Sequence, residues 1–286
     1  MKLIIEPSNK KNLYLDKVDW IILSLQDYSV QSPVYYSLEE IKKIVTSTDK
    51  EIFININKNL SNNDIANLTE VLKELDTLNI KGIFFYDLAL LQIKKEQNLK
   101  TDLIWNQTHM VNNYKTCNYY CSRGVKYALL GKEITLEEIL EIIKNTEIIP
   151  MVEILSLPSV AFSKRKLLTN YYKDLKKGPK KALAVTEKVT DTIYQVTEDC
   201  NGTSFFQKDV MNGTGIIKDL YAVGLKYIIM RGYGLEENVF AEVLADTMTY
   251  IANSCNDESY ITKYQQLWPN TNFFFKKTIY QVKKNV

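Results

Sequence analysis

What this 286-residue chain lacks narrows its chemistry before any motif is read. It has one histidine, His109, so a two-imidazole metal site within one subunit is excluded, and any triad must use that residue. Its four cysteines, Cys117, Cys121, Cys200 and Cys255, are spread too widely for a disulfide framework, which a chain of this length does not need. They read as reduced thiols. Cys117 and Cys121, four apart, share a helix face that would suit two metal ligands, but only His109 is near in sequence and no fourth ligand is in view. Half-buried helix cysteines are the simpler reading. No apolar run approaches the roughly 18 to 20 residues of a membrane span, and no apolar stretch with a small-residue cleavage site opens the sequence. A cytoplasmic protein with no membrane partner is therefore expected. Low-complexity tracts, domain linkers and internal repeats longer than one strand–helix unit are also missing.

What is present is an ordinary globular composition, 45% apolar and 24% charged. The net charge of +2 hides an asymmetry. Between Lys164 and Lys181 lie Lys164, Arg165, Lys166, Lys173, Lys176, Lys177, Lys180 and Lys181 against Asp174 alone, a local balance of +7 that leaves −5 for the rest. One cationic excursion on an acidic body is a handle for phosphate or nucleic acid, or else a solvated lysine loop around Gly178-Pro179.

Short continuous apolar runs predict eight strands, at Lys2–Ile5, Trp20–Ser24, Glu51–Ile56, Gly82–Tyr86, Asp102–Asn106, Lys126–Leu130, Ile148–Leu155 and Lys226–Met230. Runs such as WIILS and GIFFY suit a parallel sheet covered on both faces. Helical spacing intervenes at Leu38–Val45, Asn63–Leu78, Leu88–Glu96, Val111–Tyr120, Leu136–Lys144 and Glu236–Ser254, with a short first helix expected at Asn9–Asp16. Ser37 with Glu40 and Thr135 with Glu138 form S/T-x-x-E capping boxes at two of the starts. Eightfold alternation predicts an α/β fold of the (β/α)8 TIM-barrel type, one domain spanning 1–286. Segment 156–216, about sixty residues between the seventh and eighth strands, is an insertion. In it Thr192–Thr197 and Thr203–Gln207 flank an Asn201-Gly202 turn and predict a β-hairpin. Asn272–Lys284 reads as one extended segment.

In such a barrel the chemistry-bearing residues follow the strand C-termini. Here these are Ser24, Gln26 and Asp27, Asn55 and Asn57, Asp87, Asn106 and His109, Glu133, Glu153 and Arg231. The mixture suits an anionic small molecule or a nucleotide, with Asp87 and Glu153 as an acid/base pair. Ser163 beside Lys164 is a poor Ser–Lys nucleophile, because neighbours on a helix do not face each other. Instead Ser163 is expected as the N-cap of a helix whose backbone N–H groups, with Lys164 and Arg165, hold a phosphate or carboxylate. Tyr171, Tyr172 and Phe162 would supply faces for a base.

These segments resemble peptidase family U32, the collagenase-like proteins, over nearly the whole length. The resemblance is carried by LSLQDYS (23–29), YYSLEEIKKIV (35–45), FININ (53–57), GIFFYDLALLQ (82–92), KEITLEEI (132–139), SKRKLLTNYYKD (163–174), EDCNGTSFFQKD (198–209) and FFFKKTIYQVKK (273–284). It implies a TIM-barrel body. For the short members it implies a part in 5-hydroxylation of the tRNA wobble uridine, beside a longer paralogous subunit and with a small carboxylate donor such as prephenate. On that reading Asn57, Asn106, Ser163, Lys164, Arg165, Asn170, Tyr171 and Arg231 bind substrate while Asp87 and Glu153 orient it, and tRNA is the partner. A collagenase-like peptidase of unknown mechanism and a non-catalytic partner subunit are the alternatives. Many members hold an iron–sulfur cluster on four cysteines around the basic block. This chain has only Cys200 in the insertion, so no cluster is expected.

Overall fold

The computed structural model describes residues 1–269 except Thr108, Pro179 and Thr190, together with Phe274. Apart from Phe274, the extended segment expected at Asn272–Lys284 lies outside the described residues. Seven strands come first: β1 (Lys2–Glu6), β2 (Trp20–Ser24), β3 (Glu51–Ile56), β4 (Gly82–Phe85), β5 (Leu103–Trp105), β6 (Tyr127–Leu129) and β7 (Ile149–Ser156). Five more, β8 (Ser159–Ser163), β9 (Ala182–Thr186), β10 (Ile193–Glu198), β11 (Thr203–Gln207) and β12 (Met211–Asn212), precede β13 (Tyr227–Arg231). Strands β1 to β7 pair in sequence order, all parallel, and β13 lies between β7 and β1, closing an eight-stranded barrel. Helices α1 (Leu38–Ser47), α2 (Asn62–Asp76), α3 (Ala89–Gln97), α4 (Tyr114–Cys121) and α5 (Leu136–Asn145) connect successive strands from β2 to β7. Helix α6 (Leu167–Asp174) belongs to the insertion, α7 (Ile217–Ala222) leads into β13, and α8 (Glu237–Ala252) and α9 (Glu258–Leu267) follow it. The protein is a (β/α)8 TIM-barrel-like α/β fold. Among the described residues no helix is long and apolar enough to cross a membrane.

Both expected capping boxes form. Ser37 N donates to Glu40 Oε2 at 2.7 Å and Thr135 N to Glu138 Oε2 at 2.7 Å, satisfying donors that a helix start leaves unpaired. Two starts differ from the sequence reading. Asn113, accepting from Thr116 N at 2.8 Å, begins α4 three residues later than its apolar spacing implies. Only a 3-10 turn, Leu15–Lys17, stands where a helix at Asn9–Asp16 was expected.

Strand periodicity divides the barrel interior into layers. Ile4, Trp20, Ile22, Phe53, Phe84, Ile104, Tyr127, Leu129, Met151 and Ile229 form one buried cluster. At its lower end Trp20 stacks on Tyr227 with centroids 4.6 Å apart, and Phe53 meets Phe84 at 5.4 Å. Alternate residues face the same side of a strand. Two positions on from that cluster come Glu6, Ser24, Asn55, Tyr86, Asn106, Glu153 and Arg231, so the C-terminal end of the same interior is polar. The other face of each strand carries residues such as Leu3, Ile21, Ile54 and Phe85, packed under the helices in a second, larger cluster.

Segment 156–216 builds more than a hairpin. Its strands form a four-stranded antiparallel sheet in the order β8-β11-β10-β9, and β12 pairs antiparallel with β7. Strands β10 and β11 are joined through Asn201-Gly202, with Glu198 opposite Thr203. Gly202 has φ of 145°, and a Cβ there would lie 2.1 Å from the Ser163 carbonyl oxygen, so only glycine permits the turn to close against β8. Ser163 is the last residue of β8, and Lys166 is the N-cap of α6, which corrects the expected helix start at Ser163. The Ser163 hydroxyl instead accepts from Arg165 N at 3.2 Å.

Candidate functional site

The polar layer at the barrel mouth is a closed ionic network. Arg231, at the end of β13, donates from Nε to Glu153 Oε2 at 2.7 Å and from an Nη group to Glu6 Oε2. Glu6 Oε1 also accepts from Ser24 Oγ at 2.7 Å and from Ser32 Oγ at 2.6 Å, and Asn55 Nδ2 donates to Ser24 Oγ at 3.0 Å. Lys132 Nζ lies 2.5 Å from Glu153 Oε1 and 3.4 Å from Ser156 Oγ. Two carboxylates are thus matched by two cations in a place where Glu6 is 1% and Glu153 3% exposed. Such burial is tolerated only with pairing of this quality. Burial by itself pushes the Glu153 carboxyl up, but Lys132 and Arg231 outweigh it and hold it down at about 2. For Arg231 burial acts downward, and Glu153 with Glu6 overcomes it, so the guanidinium stays charged. Held ionised, Glu153 orients its two cations and has no proton to donate near neutral pH.

Above the network opens a cavity of about 350 Å³. Arg231, Lys132 and Glu153 line one side; insertion residues Pro158 to Phe162, with Phe206, line another. Tyr233, stacked on Phe206 at 4.4 Å, and the amides of Asn57 and Asn106 complete the wall. The insertion is latched over this mouth by the loop after β2. Gln31 donates to Ser159 Oγ and, at 3.2 Å, to Ala161 O; Tyr35 donates to Asp199 Oδ2 at 2.9 Å; and Asn201 donates to Ser29 O at 3.1 Å. Asn57 fixes the same loop, accepting from Val30 N at 2.8 Å and donating to Val30 O at 3.0 Å. His109 and Glu133 face each other across 3.3 Å at the exposed rim.

The structure therefore gathers Asn57, Asn106, Glu153, Phe162 and Arg231 around one cavity, with His109 and Glu133 at its rim and Ser24 and Asn55 behind it, and places the remaining candidates elsewhere. Asp87 does not line the cavity: Oδ1 accepts from Ala89 N and Oδ2 from Leu60 N, each at 3.0 Å, so it anchors the start of α3 and not an acid/base pair with Glu153. Gln26 and Asp27 are exposed on the loop after β2. Lys164, Arg165, Asn170 and Tyr171 are exposed on the insertion, outside the cavity, as are Lys166, Lys173, Lys176, Lys177, Lys180 and Lys181.

The anion site expected at the N-terminus of α6 is taken by the protein itself. Glu198 Oε2 accepts from Leu168 N at 2.8 Å and Thr169 N at 3.2 Å, and its Oε1 accepts from the Thr169 hydroxyl. Thr203 Oγ1 accepts from Leu167 N at 2.9 Å and donates to Arg165 O at 2.8 Å. The E-x-x-x-G-T pattern at 198–203 is thus a clasp on the basic block: an acid on the helix donors, a glycine for close approach, a threonine joining the two.

Sequence reading missed Glu6, Lys132, Ser32 and Ser156. Glu6 was legible, since counting in twos from Ile4 puts an acid at the end of an inward face. Lys132 and Ser32 carry no such signal, because loop geometry brings them in, and Ser156 ends β7 beyond a register shift against β13, off the alternation that Met151 and Glu153 set. The cysteines do not fit a four-thiolate cluster. Cys200 is exposed on the insertion, Cys117 and Cys255 are buried elsewhere, and no three His, Cys, Asp or Glu side chains converge as metal ligands among the described residues.

The family model of peptidase family U32 matches residues 7–276. A tRNA hydroxylation protein, P2 of Bacillus subtilis (strain 168), is 24% identical over 278 residues, covering 89% of this chain and 90% of that protein. Among solved structures, a U32 peptidase aligns with a TM-score of 0.47 at 13% identity over 55% of this chain and 70% of its own. The 3-hexulose-6-phosphate synthase of Salmonella typhimurium aligns with a TM-score of 0.48 at 10% identity, over 89% and 98%.

Proposed function

Because the chain belongs to peptidase family U32, and within it is similar to a tRNA hydroxylation protein, we propose that it is a factor in 5-hydroxylation of the tRNA wobble uridine. The observation that carries this reading is the pairing of a charged barrel-mouth cavity with an adjoining insertion whose eight cations between Lys164 and Lys181 are all exposed. Phosphate backbones are recognised by such exposed cations, largely without reference to sequence. In the cavity, Arg231 spends Nε and one Nη group on Glu153 and Glu6, and its other Nη group has no hydrogen bond to any described residue. That leaves a charged donor for a small carboxylate co-substrate, of which prephenate is the example the family resemblance supplies.

A peptidase reading has the family's name behind it. Its nearest machinery here is Ser156 beside Lys132, but Lys132 Nζ lies 2.5 Å from Glu153 Oε1 and donates to Ser156 Oγ at 3.4 Å, so it is engaged as a donor and not poised to take the serine proton. Binding of bulk tRNA to the purified chain, measured by filter retention across a salt series, tests the proposal. Affinity is expected to fall steeply with salt, and Lys173→Ala, Lys176→Ala and Lys177→Ala together are expected to lower the slope by about 2. Salt-insensitive or absent tRNA binding, with hydrolysis of casein or gelatin, would favour the peptidase. Co-purification with a paralogue, without tRNA binding or hydrolysis, would favour a non-catalytic subunit.

A further inference from the structure

One side chain in the cavity has no structural task. Asn106, the residue after β5, is only 5% exposed, lines the cavity, and its carboxamide makes no hydrogen bond to any described residue. The contrast with its neighbours is direct. Asn57 spends both amide atoms on Val30, Gln31 spends its amide nitrogen on Ser159 and Ala161, and Asn55 donates to Ser24. The Asn106 amide atoms are not sealed in the core but open on the cavity, where a ligand can meet them. Four aromatic residues, Tyr86, Phe162, Phe206 and Tyr233, line the same cavity.

We propose that Asn106 and the ring of Phe162 form a subsite for an unstacked nucleobase presenting an imide edge, as uracil does. This deepens the tRNA reading above and rests on it for the identity of the base. The chemistry is complementary. An imide edge places one N–H donor between two carbonyl acceptors, and a carboxamide offers one acceptor and one NH2 donor side by side, so the two meet in a pair of hydrogen bonds. A base modified within a folded RNA has to leave its stack, and enzymes hold such bases by edge hydrogen bonds and aromatic stacking. In this arrangement exposed lysines outside the cavity hold phosphates without reading sequence, whereas Asn106 reads the base. The uncommitted Nη group of Arg231 at the cavity floor remains available to the small anionic partner.

Titration calorimetry of the full-length chain with uridine 5′-monophosphate and with ribose 5-phosphate, which lacks the base, reads the subsite directly. The nucleotide is expected to bind about tenfold more tightly than the sugar phosphate. Asn106→Leu, similar in volume and apolar, and Asn106→Asp, which keeps the shape but presents two acceptors, are both expected to bring that ratio close to one. Their melting temperatures should stay near that of the natural chain, because no internal hydrogen bond is lost. Phe162→Ala should lower the ratio as well. Equal binding of the two probes by the natural chain, binding of neither, or an undiminished ratio in the folded Asn106 variants would overturn the subsite. A nucleoside profile separates this from the parent reading. If deletion of the gene removes hydroxylated uridines from tRNA but the base preference is absent, only the subsite falls. If the profile is unchanged while the base preference is present, the tRNA hydroxylation reading falls and the nucleobase subsite stands.

Discussion

The two ends of the barrel interior are built by the same strands and could hardly differ more. At the lower end Trp20, Phe53, Phe84, Tyr127 and Tyr227 fill the space with rings, and charge enters only as Lys81 and Lys126 lying over the Trp20 and Tyr127 rings, 5.3 and 5.4 Å from their centroids. Two to four residues further along, Glu6, Glu153 and Arg231 fill it with ions. Strand geometry gives both ends the same alternation, so the difference lies wholly in side-chain choice. The lower end gains free energy by removing apolar area from water. The upper end bears a desolvation cost that its ion pairs offset, and an arrangement of that kind is weak as a stabiliser and specific as a binding surface. Stability and ligand chemistry are thereby separated along one axis.

That contrast can be broken deliberately. Arg231→Leu, which leaves Glu6 and Glu153 buried without their shared cation, is expected to cost about 3–5 kcal/mol in urea denaturation at neutral pH. The cost should shrink in acid, where a protonated carboxyl no longer needs the lost cation. Phe84→Ala is expected to cost a comparable amount, about 3–5 kcal/mol, because it opens a void among the rings, and that cost should not vary with pH.

Acid alone should discriminate next. The Glu153 carboxyl is held at about 2 in the folded protein, below its unfolded value. Its contribution, on the order of 3 kcal/mol, is therefore fully present above about pH 4.5 and lost as pH falls towards 2. Melting temperatures across that range should show a steeper slope in the natural chain than in Glu153→Gln, where the other lowered carboxyls, such as Asp76 and Glu198, remain. A smaller effect tests the clasp: Glu198→Ala is expected to cost about 1–2 kcal/mol and to speed amide exchange at Leu168 and Thr169. The smallest concerns the cationic face, where Lys173→Ala, Lys176→Ala and Lys177→Ala should each change stability by less than about 0.5 kcal/mol, since none makes an ion pair with a described residue.

Much of this fold is written locally. All eight barrel strands begin and end within one or two residues of where their apolar runs place them, because a strand buried on both faces leaves an uninterrupted signal. Strands β8 and β9 escaped notice for the opposite reason: SVAFS and ALAVT are short and largely exposed, and pairing within the insertion holds them. The site was legible where strands carry it, as at Asn106, Glu153 and Arg231, and misleading where loops do. Asp87 and the 163–171 block follow or flank regular elements in sequence, yet one ties the Leu60 loop to the start of α3 and the other presents its cations outward. The anion that seemed wanted at α6 is Glu198, about thirty residues away, and only the pairing of β10 with β11 brings it there.

The most direct test of the central claim is the nucleoside profile of bulk tRNA, by mass spectrometry, from a strain deleted for this gene and for any paralogue, with and without the gene restored on a plasmid. Hydroxylated wobble uridine should be absent from the deletion strain and return with the natural gene, but not with Arg231→Leu. A profile unchanged by the combined deletion, or hydroxylation fully restored by Arg231→Leu, would contradict the account.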